Sequence, residues 1–219
     1  MQIEGALKSL VALGATWVLW VLVGLSVLML AIILERLVFL IRTRANVGAL
    51  REALEQDPPR LPRSPGATSS MEGSILAAGL RAASAAEAEQ RMAAEAQHQR
   101  LRSEQNLAFL GTLGNNAPFI GLLGTVLGII GAFQQLESSR GQLTAGLMAE
   151  IGGALEATAV GLLVALPSVA AYNAFQRTIQ LRLQRGDALG RELVAQLYRV
   201  TSAPGEVVRE SGPKLSAVE

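Results

Sequence analysis

The sequence predicts an all-α membrane protein with three transmembrane helices, and two observations lead to this fold class. Half of the 219 residues are hydrophobic, and the charged residues fall in blocks between long apolar runs. Three uncharged segments, 9–34, 105–136 and 157–176, are long enough to span, because a helix needs roughly 20 residues to cross a hydrocarbon core about 30 Å thick. Helices 2 and 3 are expected to be long and to extend into a cytoplasmic helical bundle.

Charge blocks and turn-forming residues divide the chain further. Residues 74–104 have strong helix propensity and no proline, so we expect this helix to continue directly into the second span. The predicted segments are an N-terminal segment with transmembrane helix 1 (1–44), a cytoplasmic helical region (45–104) with a proline-rich break (57–70), transmembrane helix 2 (105–136), a periplasmic turn (137–142), transmembrane helix 3 (143–176), a cytoplasmic helix (177–200) and a disordered tail (201–219).

The basic residues predict the orientation of the spans. Only Lys8 precedes the first span and only Arg140 lies between the second and third spans, whereas every other Lys and Arg follows the first or the third span. Because basic residues are retained in the cytoplasm, the N-terminus and the 137–142 turn should lie outside. The 45–104 region and the C-terminus should lie in the cytoplasm.

Small residues recur along the second and third spans at the spacing of a left-handed helix pair. Such rows let two backbones approach closely, which is how helices gain contact where lipid supplies no hydrophobic driving force. The alternative interpretation is purely structural: the rows only pack the two spans against each other. The second-span row is Gly114, Ala117, Gly121, Gly124, Gly128 and Gly131, and the third-span row is Ala154, Thr158, Gly161, Ala165, Ser168 and Tyr172.

Two prolines interrupt the hydrogen bonding of these helices and are expected to kink them. Pro118 frees the carbonyl of Gly114, and Pro167 frees that of Leu163. Freed carbonyls at membrane depth tend to line water or a partner rather than lipid. Asn115 and Asn116 add further polar atoms, so this surface is a candidate pore or vestibule.

Two hydroxyls and one acid are predicted to share a layer inside the membrane. Counting from Arg140, Thr125 lies fifteen residues back and Thr158 eighteen residues on, so both should lie about 23–27 Å from the turn. Glu156 falls in the same layer, and an ionisable residue inside a span indicates a functional site unless it lies above the lipid or snorkels. Glu150 lies nearer the outside and is interpreted as a solvated or vestibular acid.

Nothing in the sequence supports an enzyme, a metal site or a cofactor. The chain has no cysteine, and its one histidine, His98, falls in a polar helix where a solvated surface position is expected. Nucleophile dyads and metal clusters cannot be assembled from this inventory, and no phosphate-binding loop is present. The predicted contacts are with the lipid bilayer and other membrane helices, and no nucleic acid is implied.

Three motifs carry a resemblance to a known family. APFIGLLGTVLGIIGAF (117–133) resembles the second-span motif of the ExbB/TolQ family of proton-channel subunits, which is related to MotA. EATAVGLLVALPSVAAYNAF (156–175) is similar to the third-span motif, and LERLVFLIRTR (34–44) resembles the cytoplasmic exit of the first span. Three spans rather than four favour the ExbB/TolQ branch over MotA.

The resemblance implies a homopentamer in a bacterial inner membrane, with spans two and three lining a central pore. The pore would hold two single-span helices of an ExbD/TolR-like partner whose membrane aspartate carries the proton. Thr125 and Thr158 match the family's pore threonines, and Pro118 and Pro167 match its prolines. Tyr172 and Asn173 match the Tyr-Asn at the cytoplasmic end of helix 3.

One position departs from the family pattern. Relatives often carry a glutamate five residues before the third-span threonine, and Gly153 occupies that position here. Glu156 lies three residues later and Glu150 three residues earlier, so the acid is expected to have moved along the helix. Its facing and its role are left open by the sequence.

The residues and the resemblance together predict a stator-like proton-channel subunit. The chain supplies hydroxyls and smooth helix surfaces but at most one acid in the layer, so a complete proton relay requires a partner. The expected function is to convert proton-motive force into mechanical work on the envelope, in outer-membrane uptake, envelope maintenance or gliding motility. The alternative is a non-conducting membrane scaffold that uses the same small-residue rows only to assemble.

Overall fold

A computed structural model describes residues 16–56, 59–62, 67 and 69–202 of the chain. Within these ranges the protein is helical and contains no strand. The helices are α1 (Thr16–Arg42), α2 (Val47–Leu54), α3 (Met71–Leu80), α4 (Ala85–Glu104), α5 (Leu107–Ser138) and α6 (Ala145–Ser202).

The predicted fold class is confirmed by the length and composition of three of these helices. α1, α5 and α6 each contain a stretch long and apolar enough to cross a membrane. Residues 1–15 lie outside the described part of the chain, and so does the predicted tail from residue 203 onward. The predicted 57–70 break is described only in part, although α2 does end at Leu54 and α3 begins at Met71.

The expected continuous helix from residue 74 into the second span is wrong at two places. α3 ends at Leu80 and α4 begins at Ala85, and the side chains of Ser84 and Glu87 cap the start of α4. The Ser84 hydroxyl accepts from the Glu87 N–H at 3.2 Å, and the Glu87 carboxylate accepts from the Ala83 N–H at 2.8 Å. That backbone hydrogen bond, followed by the one from Arg91, lowers the pKa of Glu87.

The second break separates α4 from α5. Asn106 adopts a left-handed conformation, with φ of 63° and ψ of −10°, and this ends the regular hydrogen-bonding pattern. Asparagine is among the few residues with a side chain that adopt this conformation at low cost. Propensity arguments based on residues 85–104 could not reveal a single left-handed residue at position 106.

The chain forms two compact units. The first comprises Met1–Arg44 and Gln97–Gln184, and the second comprises Ala45–Ala96 and Arg185–Glu219. α6 is one unbroken helix of 58 residues that contributes to both units, so no break separates the predicted segments 143–176 and 177–200. Pro167 lies inside this helix and Pro118 lies inside α5 without ending either one.

In the first unit, α1, α5 and the first part of α6 pack through small residues. A Cβ on Gly124 would lie 2.5 Å from the Cβ of Ala157 on α6 and 3.2 Å from Cγ1 of Val18 on α1. Val18 and Leu22 are fully buried. The three membrane-length helices therefore meet around Gly124.

The second unit has an apolar centre of its own. Leu50 of α2, Leu76 of α3 and Leu193 of α6 are almost completely buried. A Cβ on Gly79 would lie within 2.9 Å of side-chain atoms of both Met92 and Leu193, so α3 also approaches its neighbours closely. An exposed ion pair of 2.8 Å between Arg51 and Glu192 joins α2 to α6.

We expect Gly121→Ala to destabilise the first unit by about 1–3 kcal/mol, because the added methyl has no room. It would meet the carbonyl oxygen of Ala157 at 2.7 Å and the Cα of Thr158 at 3.0 Å, and backbone atoms cannot move aside as a flexible side chain can. Thermal unfolding of the purified protein in detergent measures the effect.

Gly24→Ala is the matched control for this substitution. Gly24 lies in α1 and has no atom within 4 Å of its would-be Cβ, so the same change should leave the unfolding temperature unchanged or slightly higher. Equal unfolding temperatures for the two variants would show that the α5 and α6 backbones are not in the close contact described.

Candidate functional site

The site is built on a close approach between α5 and α6. A Cβ on Gly121 would lie 2.7 Å from the carbonyl oxygen of Ala157, and a Cβ on Gly161 would lie 2.7 Å from that of Ala117. The contact is therefore reciprocal, and a side chain is tolerated on neither helix at this level. The buried members of the two predicted rows are Gly114, Ala117, Gly121, Gly124, Gly128, Ala154, Gly161, Ala165 and Ser168.

The two ends of the rows pack less tightly. Gly131 is half-buried, and its nearest neighbour is the carboxylate of Glu150, 3.5 Å from the would-be Cβ. At the other end the ring of Tyr172 lies over Gly111, with Cε2 at 3.2 Å from the corresponding position. The Tyr172 hydroxyl accepts from the Gln176 amide at 3.0 Å, while Asn173 is exposed.

Thr125 and Thr158 meet directly across this helix pair. Their hydroxyl oxygens lie 3.0 Å apart, and both side chains are half-buried. They share one layer, as counting from the turn predicts. Thr125 follows Gly121 and Gly124, and Thr158 precedes Gly161, so the small residues that draw the backbones together also bring the two hydroxyls within hydrogen-bond distance.

A backbone carbonyl extends this hydroxyl pair. The Thr125 hydroxyl lies 2.8 Å from the Leu122 carbonyl, to which it can donate. Either hydroxyl can be the donor in the bond between Thr125 and Thr158. The Thr158 hydroxyl, the Thr125 hydroxyl and the Leu122 carbonyl therefore form a continuous row of hydrogen-bonding groups.

Glu150 and Glu156, the two acids of α6 that were predicted near the membrane layer, occupy different surroundings. Glu150 is half-buried and its carboxylate reaches across to Gly131 on α5. Glu156 is exposed and makes no hydrogen bond or ion pair with another described residue. Glu156 is thus in the threonine layer by depth, but the structure does not bring it to the threonine pair; its role on a proton pathway stays a prediction.

The predicted vestibule residues lie on an exposed side of α5. Asn115 and Asn116 are both exposed, and the Asn116 amide donates to the Thr112 carbonyl at 2.7 Å. The Thr112 hydroxyl in turn donates to the Ala108 carbonyl at 2.9 Å. Gly153, at the position where relatives often carry a glutamate, has open space beside it, with no atom within 4 Å of a would-be Cβ.

Two buried arginines were not identified from the sequence. Arg36 is 4% exposed and donates to the Arg102 and Ser103 carbonyls at 3.4 and 3.3 Å. Arg182 is 8% exposed and donates to the Leu40 carbonyl at 2.6 Å. In the sequence, both arginines stand out only as basic residues that follow an apolar span. The positive-inside rule uses such residues to assign the orientation of the spans and says nothing about their burial.

No group of three His, Asp or Glu side chains with metal-site spacing occurs in the described part of the chain. The polar groups around the threonine pair are instead hydroxyls, amides and backbone carbonyls, which donate and accept hydrogen bonds.

The family model of the MotA/TolQ/ExbB proton channel family matches residues 67–187, which is more than half of the chain. The chain belongs to this family. The match includes α5 and the part of α6 that carries Thr158, so the small-residue rows and the hydroxyl pair both lie in the region shared with the family. It is a family of proton channels rather than of enzymes.

Named relatives carry ExbB and TolQ names. An ExbB-like 2 protein of Helicobacter pylori strain J99 is 38% identical over 102 residues, which is 47% of this chain and 68% of the relative. The biopolymer transport protein ExbB of Neisseria gonorrhoeae is 41% identical over 96 residues, 44% of each chain. The Tol-Pal system protein TolQ of Pseudomonas aeruginosa is 38% identical over 96 residues, 44% of this chain and 42% of TolQ.

The chain thus spans about two thirds of the ExbB-like relative but less than half of the ExbB and TolQ proteins. Membership of the family, three membrane-length helices and the predicted resemblance are confirmed together.

We expect a double-mutant cycle of Thr125→Val and Thr158→Val to give a coupling energy of about 0.6 kcal/mol, the average for hydrogen bonds between membrane helices. The two hydroxyls lie 3.0 Å apart, so each valine removes the same bond while nearly preserving the side-chain volume. Unfolding free energies of the two single variants and the double variant give the coupling, and additive effects would rule out a direct bond.

Proposed function

We propose that this protein is a proton-channel subunit that converts proton-motive force into mechanical work on the cell envelope. Proton flow through the layer of Thr125 and Thr158 would drive rotation or rearrangement of partner helices. The observation that carries the proposal is the direct hydrogen bond between these hydroxyls, in a protein of the proton-channel family. Proton transfer needs groups that both accept and donate, and the pair provides both.

The chain supplies only part of the required relay. A proton crossing a membrane needs a titratable group in the hydroxyl layer. Glu156 is exposed and apart from the threonine pair, and Glu150 lies eight residues before Thr158 on α6, or about 12 Å along the helix. We therefore infer that the titratable group comes from a partner.

The proposed partner is a single-span ExbD/TolR-like protein with an aspartate in its membrane helix. The proposed complex is a homopentamer of this chain around two such helices, as the family resemblance implies. The exposed sides of α5 and α6 carry large apolar side chains that would face lipid or neighbouring subunits, including Phe119, Phe133, Leu163 and Leu166.

The proposed location is a bacterial inner membrane with the N-terminus in the periplasm. This orientation is supported by the basic residues: Arg42 and Arg44 follow the apolar part of α1, whereas Arg140 is the lone basic residue between α5 and α6. The work performed would be outer-membrane uptake, envelope maintenance or gliding. The names of the relatives, biopolymer transport and Tol-Pal, support envelope work of this kind.

We expect Thr125→Val and Thr158→Val each to lower proton flux by about a hundredfold, because each interrupts the hydroxyl chain. The measurement is proton flux in vesicles that contain the subunit with its copurified partner. Thr125→Ser and Thr158→Ser keep the hydroxyls and should retain most of the flux.

Thr112→Val is the matched control for this experiment. It removes a hydroxyl from the same helix by the same chemical change, but that hydroxyl is exposed and bonds only within α5. Unchanged flux in both Thr125→Val and Thr158→Val would exclude these residues from the pathway and favour the non-conducting scaffold.

We expect native purification to yield five copies of the chain together with a single-span protein that carries a membrane aspartate. Mass determination of the intact complex gives the stoichiometry, and identification of the copurified chain gives the partner. An oligomer that contains no such partner would contradict the motor and support the scaffold.

A further inference from the structure

The junction between α4 and α5 is held by the first helix. α4 ends at Glu104, α5 begins at Leu107, and the left-handed Asn106 lies between them. The amide of Asn106 donates to Glu35 of α1 at 3.4 Å. α5, the helix that carries Thr125, therefore begins at a break in the backbone and is not a continuation of α4.

Arg36 holds the other side of the same break. Its guanidinium donates to the carbonyls of Arg102 and Ser103, which are in the last turn of α4. These carbonyls lack partners within their own helix, so a cation placed there satisfies them and interacts favourably with the helix dipole. Glu35 neutralises the buried guanidinium at 3.3 Å, and the ring centroid of Phe39 lies 5.5 Å from it.

The contacts at this junction are long and incompletely satisfied. The four polar contacts of Glu35 and Arg36 measure between 3.3 and 3.4 Å, near the upper limit of hydrogen-bond length. Nε of Arg36 and the hydroxyl of Ser103 are buried without a hydrogen-bond partner among the described residues. A buried polar network with unmatched groups gains less stability from its closed state than a fully bonded one.

A second arginine provides a contrast within the same unit. Arg182 of α6 donates to the Leu40 carbonyl at 2.6 Å and to the carbonyl and hydroxyl of Thr43 at 3.2 and 3.1 Å. These groups lie at the C-terminal end of α1. α1 is thus fixed to α6 by a shorter set of bonds than the set that holds the start of α5.

We propose that Glu35, Arg36 and Asn106 form a latch that opens and closes as the protein works. α1 and α6 stay joined through Arg182, and the Leu107 end of α5 pivots against them at the Asn106 break when the latch opens, while the close contact of α5 with α6 at Gly121 and Gly161 is kept. This proposal rests on the proposed function, since proton transfer at Thr125 supplies the movement of α5. The three residues are positioning residues, which act through α5 and not on the proton.

The test is a reversible covalent bridge across the latch. The chain has no cysteine, so Glu35→Cys with Asn106→Cys gives the only two thiols. A short bis-methanethiosulfonate reagent joins them and a reductant releases them. We expect the bridged complex to retain its partner and its oligomeric mass but to lose at least ninety per cent of proton-driven work, and reduction to restore the work of the untreated variant.

A matched control bridges a site that does not move. Asp187 and Arg191 form an exposed ion pair of 2.8 Å within one helix, so Asp187→Cys with Arg191→Cys also removes one polar side-chain contact and receives the same reagent. The bridged control should work as well as its reduced form. A bridged latch variant that works as well as its own reduced form would overturn the latch, while leaving the proton-channel proposal intact.

If the unbridged variant with cysteines at positions 35 and 106 performs no proton-driven work, a distance measurement tests the latch instead. Spin labels on cysteines at Leu37 and Leu101, both exposed, report the separation of α1 from the end of α4 with the latch intact. We expect two distance populations, and Arg36→Gln should shift them towards the longer one. A single population that Arg36→Gln leaves unchanged would overturn the latch whether or not the chain conducts protons.

Discussion

The close approach of the α5 and α6 backbones at Gly121 and Gly161 is the contact on which the rest of the first unit depends. Lipid provides no hydrophobic drive for two apolar helices to associate, so stabilisation must come from packing and short polar contacts. Each glycine faces a carbonyl oxygen of the opposite helix, at 2.7 Å from a would-be Cβ. This spacing is what allows the hydroxyls of Thr125 and Thr158 to meet at 3.0 Å.

Polar groups in this unit also need short contacts within the protein, and the threonines and the arginines obtain them in different ways. The threonine hydroxyls bond to one another and to the backbone, so they cost little to hold between apolar helices. Arg36 and Arg182 are charged and buried, and each donates to carbonyls that a helix end leaves without intrahelical partners. The helix ends thus provide acceptors for the arginines, and the arginines in turn fix where α1, α4 and α6 meet.

Parts of the candidate site were predictable from the sequence because they follow from helix geometry. Thr125 and Thr158 could be assigned to one layer by counting from Arg140, since both helices rise by a constant amount per residue. Counting gives depth but not facing, so the sequence left the facing of Glu156 open, and the structure shows this side chain exposed. The Asn106 break was not predictable, because helix propensity describes average preference and one left-handed residue is decided by its contacts.

The sequence by itself determined that the chain is helical, that three helices are long and apolar enough to cross a membrane, and that small residues line two of them. Composition and periodicity carry this information because every residue of a span contributes to it. Only the tertiary structure decided which acid reaches α5, that the hydroxyls of Thr125 and Thr158 meet, and which carbonyls accept from Arg36 and Arg182. Those features depend on the rotation of each helix about its axis and on contacts between residues far apart in the chain, and local pattern specifies neither.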